Sequence, residues 1–117
     1  MRFDANRERA TLVRTSELAL AFLHSLDGAS VATTTPLAEL RRRFAQPLPE
    51  DGTDPVRVIE DLAQQVEGGI LGSAGGRFYG WVIGAGLPAA LAADWLTSAW
   101  DQNAGLYACG PAAAVVE

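Results

Sequence analysis

The chain has 117 residues, enough for one domain at most, and 49% of them are hydrophobic, which is typical of a globular protein. Its net charge of -5 disfavours a nucleic-acid partner, because binding phosphates requires clustered cations. The single cysteine, Cys109, excludes an intramolecular disulfide, fits a reducing compartment such as the cytoplasm, and is expected to be a small buried side chain. All nine basic residues are arginine, so no lysine is present to act as a nucleophile or to bind an aldehyde cofactor covalently.

Three amphipathic helices are predicted in the first part of the chain. The first covers residues 4–27 and begins with Asp4 as its N-cap. A short second helix follows Thr35-Pro36, and a third runs from Asp54-Pro55 to about Glu67, because a capping residue followed by proline is typical of a helix start. The apolar stripe of the first helix consists of Leu12, Ala19, Leu23 and Leu26. Since the stripes are narrow and the loops long, we expect these helices to pack on a surface supplied from elsewhere.

The stretch from residue 77 to residue 111 contains all three tryptophans, both tyrosines and the only cysteine. Aromatic and β-branched residues at 78–83 predict an extended segment, followed by a turn at 84–86. A helix is predicted from about Leu87 to Asp101, then a loop and a further helix that begins at Pro111. Because a protein seldom ends after one turn of an apolar helix, we expect the chain to be the front part of a longer one.

Two functions that this stretch suggests are weakened by its own residues. The 16 uncharged residues between Arg77 and Asp94 are fewer than the roughly 20 of a membrane helix, so no membrane partner is predicted. The pattern Gly84-x-Gly86-x-x-Ala89 fits a dinucleotide-binding fingerprint between a strand and a helix. However, Pro88 removes an N–H near that turn, and Glu117 lies further along than the fingerprint's acidic residue, which follows after about 20 positions. A dinucleotide-binding βα unit remains an alternative, as does a small non-enzymatic helical interaction module.

The most specific similarity lies in residues 77–111. Arg77-Phe78-Tyr79 and the block Leu91–Ser98, followed by Asn103, Tyr107 and Pro111 at matching spacing, resemble the N-terminal region of the group II pyridoxal-phosphate-dependent decarboxylases. The family includes glutamate, aromatic amino-acid, tyrosine and cysteine-sulfinate decarboxylases. The resemblance implies a helical arm at 1–76. It also implies that 77–117 are the substrate loop and first helices of the large domain of a fold-type-I, aminotransferase-like α/β enzyme. The isolated chain is therefore expected to be mainly α.

The same resemblance implies a partner, a cofactor and a site. Such enzymes are homodimers whose N-terminal helices embrace the other protomer, and they remove the α-carboxylate of an amino acid with pyridoxal 5'-phosphate. The substrate-binding residues implied for this chain are Trp81, Val82, Ile83, Gly84 and Asn103. The family's cofactor-binding lysine, histidine and aspartate lie further along the chain, so no catalytic, cofactor-binding or metal residue is assigned here. The chain alone is expected to be inactive.

The residues of the implied substrate loop bear on which amino acid is used. Members that act on glutamate place polar residues at the positions of Trp81 and Ile83. The loop Trp81–Gly84 carries no charged side chain that could pair with a second carboxylate. The resemblance therefore implies a substrate that is bulkier or less polar than glutamate.

Overall fold

The computed structural model describes residues 4–83, 86–103 and 105–116, and this part of the chain is mainly helical, as predicted. It contains five α-helices, one 3₁₀ turn and no strand among the described residues. The helices are α1 (Ala5–Ser25), α2 (Leu37–Phe44), α3 (Pro55–Gln65), α4 (Pro88–Trp100) and α5 (Pro111–Val116), and the 3₁₀ turn covers Tyr107–Cys109. The chain divides into two compact units, Met1–Ala85 and Gly86–Glu117.

The predicted starts of α1 and α3 are confirmed. The Asp4 carboxylate accepts hydrogen bonds from the backbone N–H groups of Asn6 and Arg7, at 3.1 and 3.3 Å. Asp54 does the same for the first turn of α3, where Pro55 occupies the first helical position. Both carboxylates satisfy N–H groups that have no partner within their own helix, which explains why the helices begin there.

The predicted N-cap of α2 is wrong. Pro36, not Thr35, precedes the first helical residue, and no side chain caps this helix. The Thr35 hydroxyl instead donates a 3.0 Å hydrogen bond to the carbonyl oxygen of Glu67, 32 positions along the chain. A long-range partner has therefore replaced the local one that the Thr-Pro pattern predicts.

Within the first unit, α1 and α2 both pack against α3. Arg14 Nε on α1 donates to Glu60 Oε1 on α3 at 2.7 Å. The half-buried side of α1 includes Thr11, Arg14 and Leu18, whereas Leu12 and Leu23 of the predicted stripe are exposed. The stripe was wrong for these two leucines, because α3 covers a neighbouring and more polar side of α1. No hydrophobic side chain is buried anywhere in the described part of the chain.

Residues 28–35 and 67–77 are held together by hydrogen bonds between backbone groups. The N–H groups of Thr34 and Thr35 both donate to the carbonyl oxygen of Gly68, at 2.8 and 3.0 Å. We call Thr34, Thr35, Glu67 and Gly68 the threonine–glycine latch. Further along, the Gly72 N–H donates to the Val31 carbonyl oxygen at 3.0 Å. These bonds fix the route by which the chain leaves α3.

The second unit consists of α4, the 3₁₀ turn and α5. Helix α4 begins at Pro88, one residue after the predicted start near Leu87, and ends at Trp100; its C-cap, Asp101, has a left-handed φ of 47°. Helix α5 packs on the 3₁₀ turn. Cys109 lies in that turn and is exposed, so the expectation of a buried thiol was wrong. The next residue, Gly110, is buried instead.

Candidate functional site

The implied substrate loop is a tight turn. The Ile83 N–H donates to the Gly80 carbonyl oxygen at 3.3 Å, and the two residues between them, Trp81 and Val82, have φ values of 53° and 56°. A four-residue turn with positive φ at both central positions is the type I′ pattern. The predicted extended segment at 78–83 was therefore wrong. The reason is that the chain turns back at Gly80 instead of pairing with a strand.

One aromatic contact supports this turn. The rings of Phe78 and Trp81 lie 5.9 Å apart between centroids, with their planes tilted by 52°. Gly80 makes the contact possible, since a Cβ atom added there would lie 3.0 Å from Phe78 Cζ. The Trp81 ring is thus held over Phe78 by a glycine that leaves room for the ring.

The side chains of the turn project into solvent. Tyr79 is 93% exposed, Trp81 is 77% exposed and Val82 is fully exposed. These three residues and Ile83 offer apolar surface, one phenol hydroxyl and one indole N–H, but no cation. They can pack against an apolar group, and they cannot neutralise a carboxylate. Gly84, the fourth residue of the implied loop, lies outside the described residues.

Asn103 belongs to the second unit. Its Oδ1 accepts a hydrogen bond from the Gly105 N–H at 2.9 Å, an arrangement in which the side chain stabilises its own loop. Tyr107 begins the 3₁₀ turn and is exposed. The structure thus groups Trp81, Val82 and Ile83 in one turn and gives Asn103 a local anchoring bond.

Arg77 lies close to this turn, and its guanidinium group is engaged. Arg77 Nη2 donates to the carbonyl oxygens of Leu26, at 3.4 Å, and Ala29. Both carbonyls follow the C-terminal end of α1, where backbone acceptors have no partner within the helix. Arg77 therefore ties the segment before the aromatic turn to the end of α1. Sequence spacing gave no signal of this contact, because 48 residues separate Arg77 from Ala29.

A second group of charged residues lies on α2. Arg42 binds the Glu39 carboxylate through two hydrogen bonds of 2.7 Å, and Arg43 Nε adds a third of 2.9 Å. These bonds, those from Arg42 first, lower the pKa of Glu39 from 4.5 to about 2. Arg43 also donates to the Glu67 carbonyl oxygen at 2.8 Å, beyond the end of α3. The sequence signal for this cluster is the three- and four-residue spacing from Glu39 to the two arginines.

The ion pairs of Glu39 with Arg42 and Arg43 are expected to be lost in acid, which should lower the stability of the folded chain. Because the pKa of Glu39 is lowered on folding, its contribution is fully present above about pH 4.5 and is lost as the pH falls towards 2. Glu39→Gln should therefore reduce the drop in urea midpoint, measured by circular dichroism, between about pH 5 and pH 2. Glu50→Gln is the control, since Glu50 is exposed and makes no ion pair among the described residues. Equal midpoint drops in the wild type and Glu39→Gln would contradict the prediction.

Metal and membrane sites find no support in the described residues. No group of three or more His, Cys, Asp and Glu side chains there could hold a metal ion. None of the described helices has the length and apolar character needed to cross a bilayer. The dinucleotide-binding alternative also needs a strand before Gly84, and residues 78–83 form a turn in its place.

The comparisons with known proteins give no relative. No protein-family model matches the chain, and neither a curated protein nor a solved structure is detectably similar to it.

The residues of this chain do not by themselves fit a pyridoxal-phosphate site. Covalent attachment of that cofactor requires a lysine, and the chain has none. Its single histidine, His24, is exposed near the end of α1. Any role of this chain in such chemistry is therefore confined to shaping a pocket or contacting another protomer.

Proposed function

We propose that the chain is the N-terminal portion of a pyridoxal-phosphate-dependent amino-acid decarboxylase, a carboxy-lyase that works as a cytoplasmic homodimer. In this proposal the chain contributes dimer contacts and a substrate-pocket loop and is inactive alone. The observation that carries the proposal is the exposed aromatic turn at Tyr79–Ile83, which coincides with the substrate loop implied by the family resemblance. The apolar side chains of such a turn are stabilised only when another surface covers them and removes them from water.

The uncovered side of α1 supports a role in dimer contacts. Leu12, Leu20 and Leu23 occupy neighbouring positions on this helix at three- and eight-residue steps, and each is at least 38% exposed. Helix α3 covers the adjacent side of α1 and leaves these leucines exposed. An arm that embraces a second protomer would bury such a strip.

The total accessible surface also supports a role in contacts with a partner. The chain exposes 9729 Å², whereas a compact protein of 12.3 kDa exposes about 6,100 Å². Even if the two units are counted as separate globules, the expected total is only about 7,000 Å². Each partner contributes about half of an obligate interface of about 2,000–5,000 Å², so the excess on this one chain is at least as large as such a share. The chain therefore exposes enough surface to form a large interface with a partner.

Helix α4 supports membership of a larger domain. It carries the block Leu91–Ser98 on which the resemblance rests, and its only polar side chains are Asp94, Thr97 and Ser98. Trp100, at its end, is 62% exposed, and no residue of α4 is buried. A helix that is apolar on most sides is normally enclosed by other elements. Enclosure of α4 by a larger domain would account for its composition.

The decisive experiment assays amino-acid decarboxylation. We expect the 117-residue chain to release no CO₂ from any amino acid, with or without added pyridoxal phosphate. The complete protein encoded by the same reading frame should decarboxylate a bulky or weakly polar amino acid in preference to glutamate. A clear preference for glutamate would overturn the substrate assignment. A complete protein without a cofactor-binding lysine would overturn the proposal as a whole.

Thermal unfolding of the isolated chain separates the proposal from a free-standing helical interaction module. Such a module should unfold in a single sharp transition, since it must fold on its own. The proposed arm should instead unfold over a broad transition at a lower temperature, because no hydrophobic side chain of the described residues is buried.

A further inference from the structure

A polar cleft lies at the C-terminal ends of α2 and α3, within the first unit and away from the aromatic turn. Its volume is about 350 Å³, and its lining consists of Arg42, Arg43, Gln46, Gln64, Gln65 and Glu67. Every one of these side chains is polar or charged, so the cleft suits a small hydrophilic ligand and not an apolar group. Neither the substrate loop nor the exposed leucines of α1 contribute to it.

The two arginines keep unused hydrogen-bond donors. Arg42 binds Glu39 through Nε and Nη2, and Arg43 uses Nε for Glu39 and Nη1 for the carbonyl oxygens of Gln65 and Glu67. Nη1 of Arg42 and Nη2 of Arg43 therefore have no partner within the described chain. Because the other donors fix both guanidinium groups, the free donors are already oriented. A bound carboxylate would gain charge-assisted hydrogen bonds without the full cost of ordering the side chains.

The acidic member of the lining is also unpaired. The Glu67 carboxylate forms no hydrogen bond or ion pair with any described residue, and Glu67 lines the same cleft as the two arginines. Its backbone carbonyl, by contrast, accepts from Thr35 and Arg43, which fixes the position of the residue. Residues of opposite charge thus line one cleft, and the Glu67 carboxylate forms no ion pair with the two arginines.

We infer that this cleft binds a small zwitterion, a free amino acid, with its carboxylate on Arg42 and Arg43 and its ammonium group on Glu67. The charges favour a zwitterion over a simple ion: two arginines are balanced by Glu39 and Glu67, so the cleft attracts neither sign alone. The negative end of the α3 dipole also lies at this cleft, which favours the ammonium group. Gln46, Gln64 and Gln65 can donate to or accept from a polar side chain. A free amino acid also fits the available volume.

Nuclear magnetic resonance can follow the cleft directly. In a ¹⁵N-labelled chain, the side-chain amides of Gln46, Gln64 and Gln65 and the Nε–H groups of Arg42 and Arg43 report on ligand contact. The probes are glycine and L-glutamine as zwitterions, acetate as the anion and methylammonium as the cation. We expect saturable shifts of these signals with the zwitterions, and at least about tenfold weaker binding of each single ion. Acetate binding as tightly as glycine would overturn the inference in favour of an anion site.

Two variants test the assigned contacts. Glu67→Gln and Arg42→Gln should each weaken glycine binding about tenfold or more, because each removes one charged contact. Arg41→Gln is the matched control, since Arg41 lies on the same helix and is absent from the cleft. Circular dichroism of each variant checks that its helices persist. Unsaturable shifts, shifts spread over the whole surface, or equal binding by all three variants would overturn the inference. None of these outcomes depends on decarboxylase activity, so the cleft and the proposed function fail separately.

Discussion

Replacing Gly68 by alanine is expected to lower the free energy of unfolding of the first unit by about 2–4 kcal/mol. Gly68 has a φ of 72°, a conformation that costs any residue with a Cβ atom about 1–2 kcal/mol. The added Cβ would also collide with Thr35 Oγ1 and would lie 2.7 Å from Thr34 Oγ1. Relief of that collision would strain the two hydrogen bonds from Thr34 and Thr35 to the Gly68 carbonyl oxygen, each worth about 1 kcal/mol.

Gly52→Ala is the matched control for this substitution. A Cβ atom added at Gly52 would meet nothing within 4 Å, and its φ is not positive. We expect this variant to stay within about 0.5 kcal/mol of the wild type, as surface substitutions usually do. Urea unfolding followed by circular dichroism gives both values. Equal midpoints for the two variants would show that the threonine–glycine latch does not stabilise the first unit.

The parts of the fold that the sequence predicted correctly depend on neighbouring residues. Asp4 and Asp54 cap their helices through N–H groups two and three positions away, so a short pattern is enough to identify them. Pro111 begins α5, as predicted, for an equally local reason. In each case the physical cause and the residues that show it lie within one helical turn.

The parts that could not be predicted depend on residues far apart in the chain. Thr35 has a capping pattern, but a carbonyl 32 residues away binds its hydroxyl. Leu12 and Leu23 have helical spacing, but α3 contacts a different side of α1 through the Arg14–Glu60 ion pair. Spacing along a helix shows which residues share a side. It does not show which side the next helix will cover.

The candidate site also has features that local sequence predicts and features that depend on distant residues. The residue types of the turn, aromatic and aliphatic without a cation, were readable from the sequence, and the substrate hypothesis rests on them. Their conformation was not, because Trp81 and Val82 disfavour positive φ and their composition predicts a strand. The polar cleft was also missed. It depends on α2 and α3 ending side by side, and only the four-residue spacing from Glu39 to Arg43, one of its lining arginines, is visible in the sequence.

The type I′ turn at Gly80–Ile83 predicts a substitution that raises the free energy of unfolding, whereas Gly68→Ala lowers it. This turn type strongly prefers Asn-Gly or Gly-Gly at its centre, whereas this chain has Trp81 and the β-branched Val82 there. Val82→Gly should therefore raise the free energy of unfolding by about 1 kcal/mol, since glycine adopts positive φ without steric cost. Because Val82 is fully exposed, the change removes no packing. A rise in the urea midpoint is the expected readout.

Ile83→Gly distinguishes relief of strain from a general effect of glycine. Ile83 is also β-branched, lies next to Val82 and has no positive φ, so its replacement should lower stability by about 0.5–1 kcal/mol. A fall in the midpoint for both variants would contradict a strained turn.

Strained backbone persists at sites where function requires it, and relieving the strain often costs activity. If Trp81–Ile83 shape a substrate pocket, Val82→Gly in the complete enzyme should gain stability and lose kcat/KM for its preferred amino acid. A gain in stability with unchanged kcat/KM would leave the turn strained but remove Val82 from the pocket.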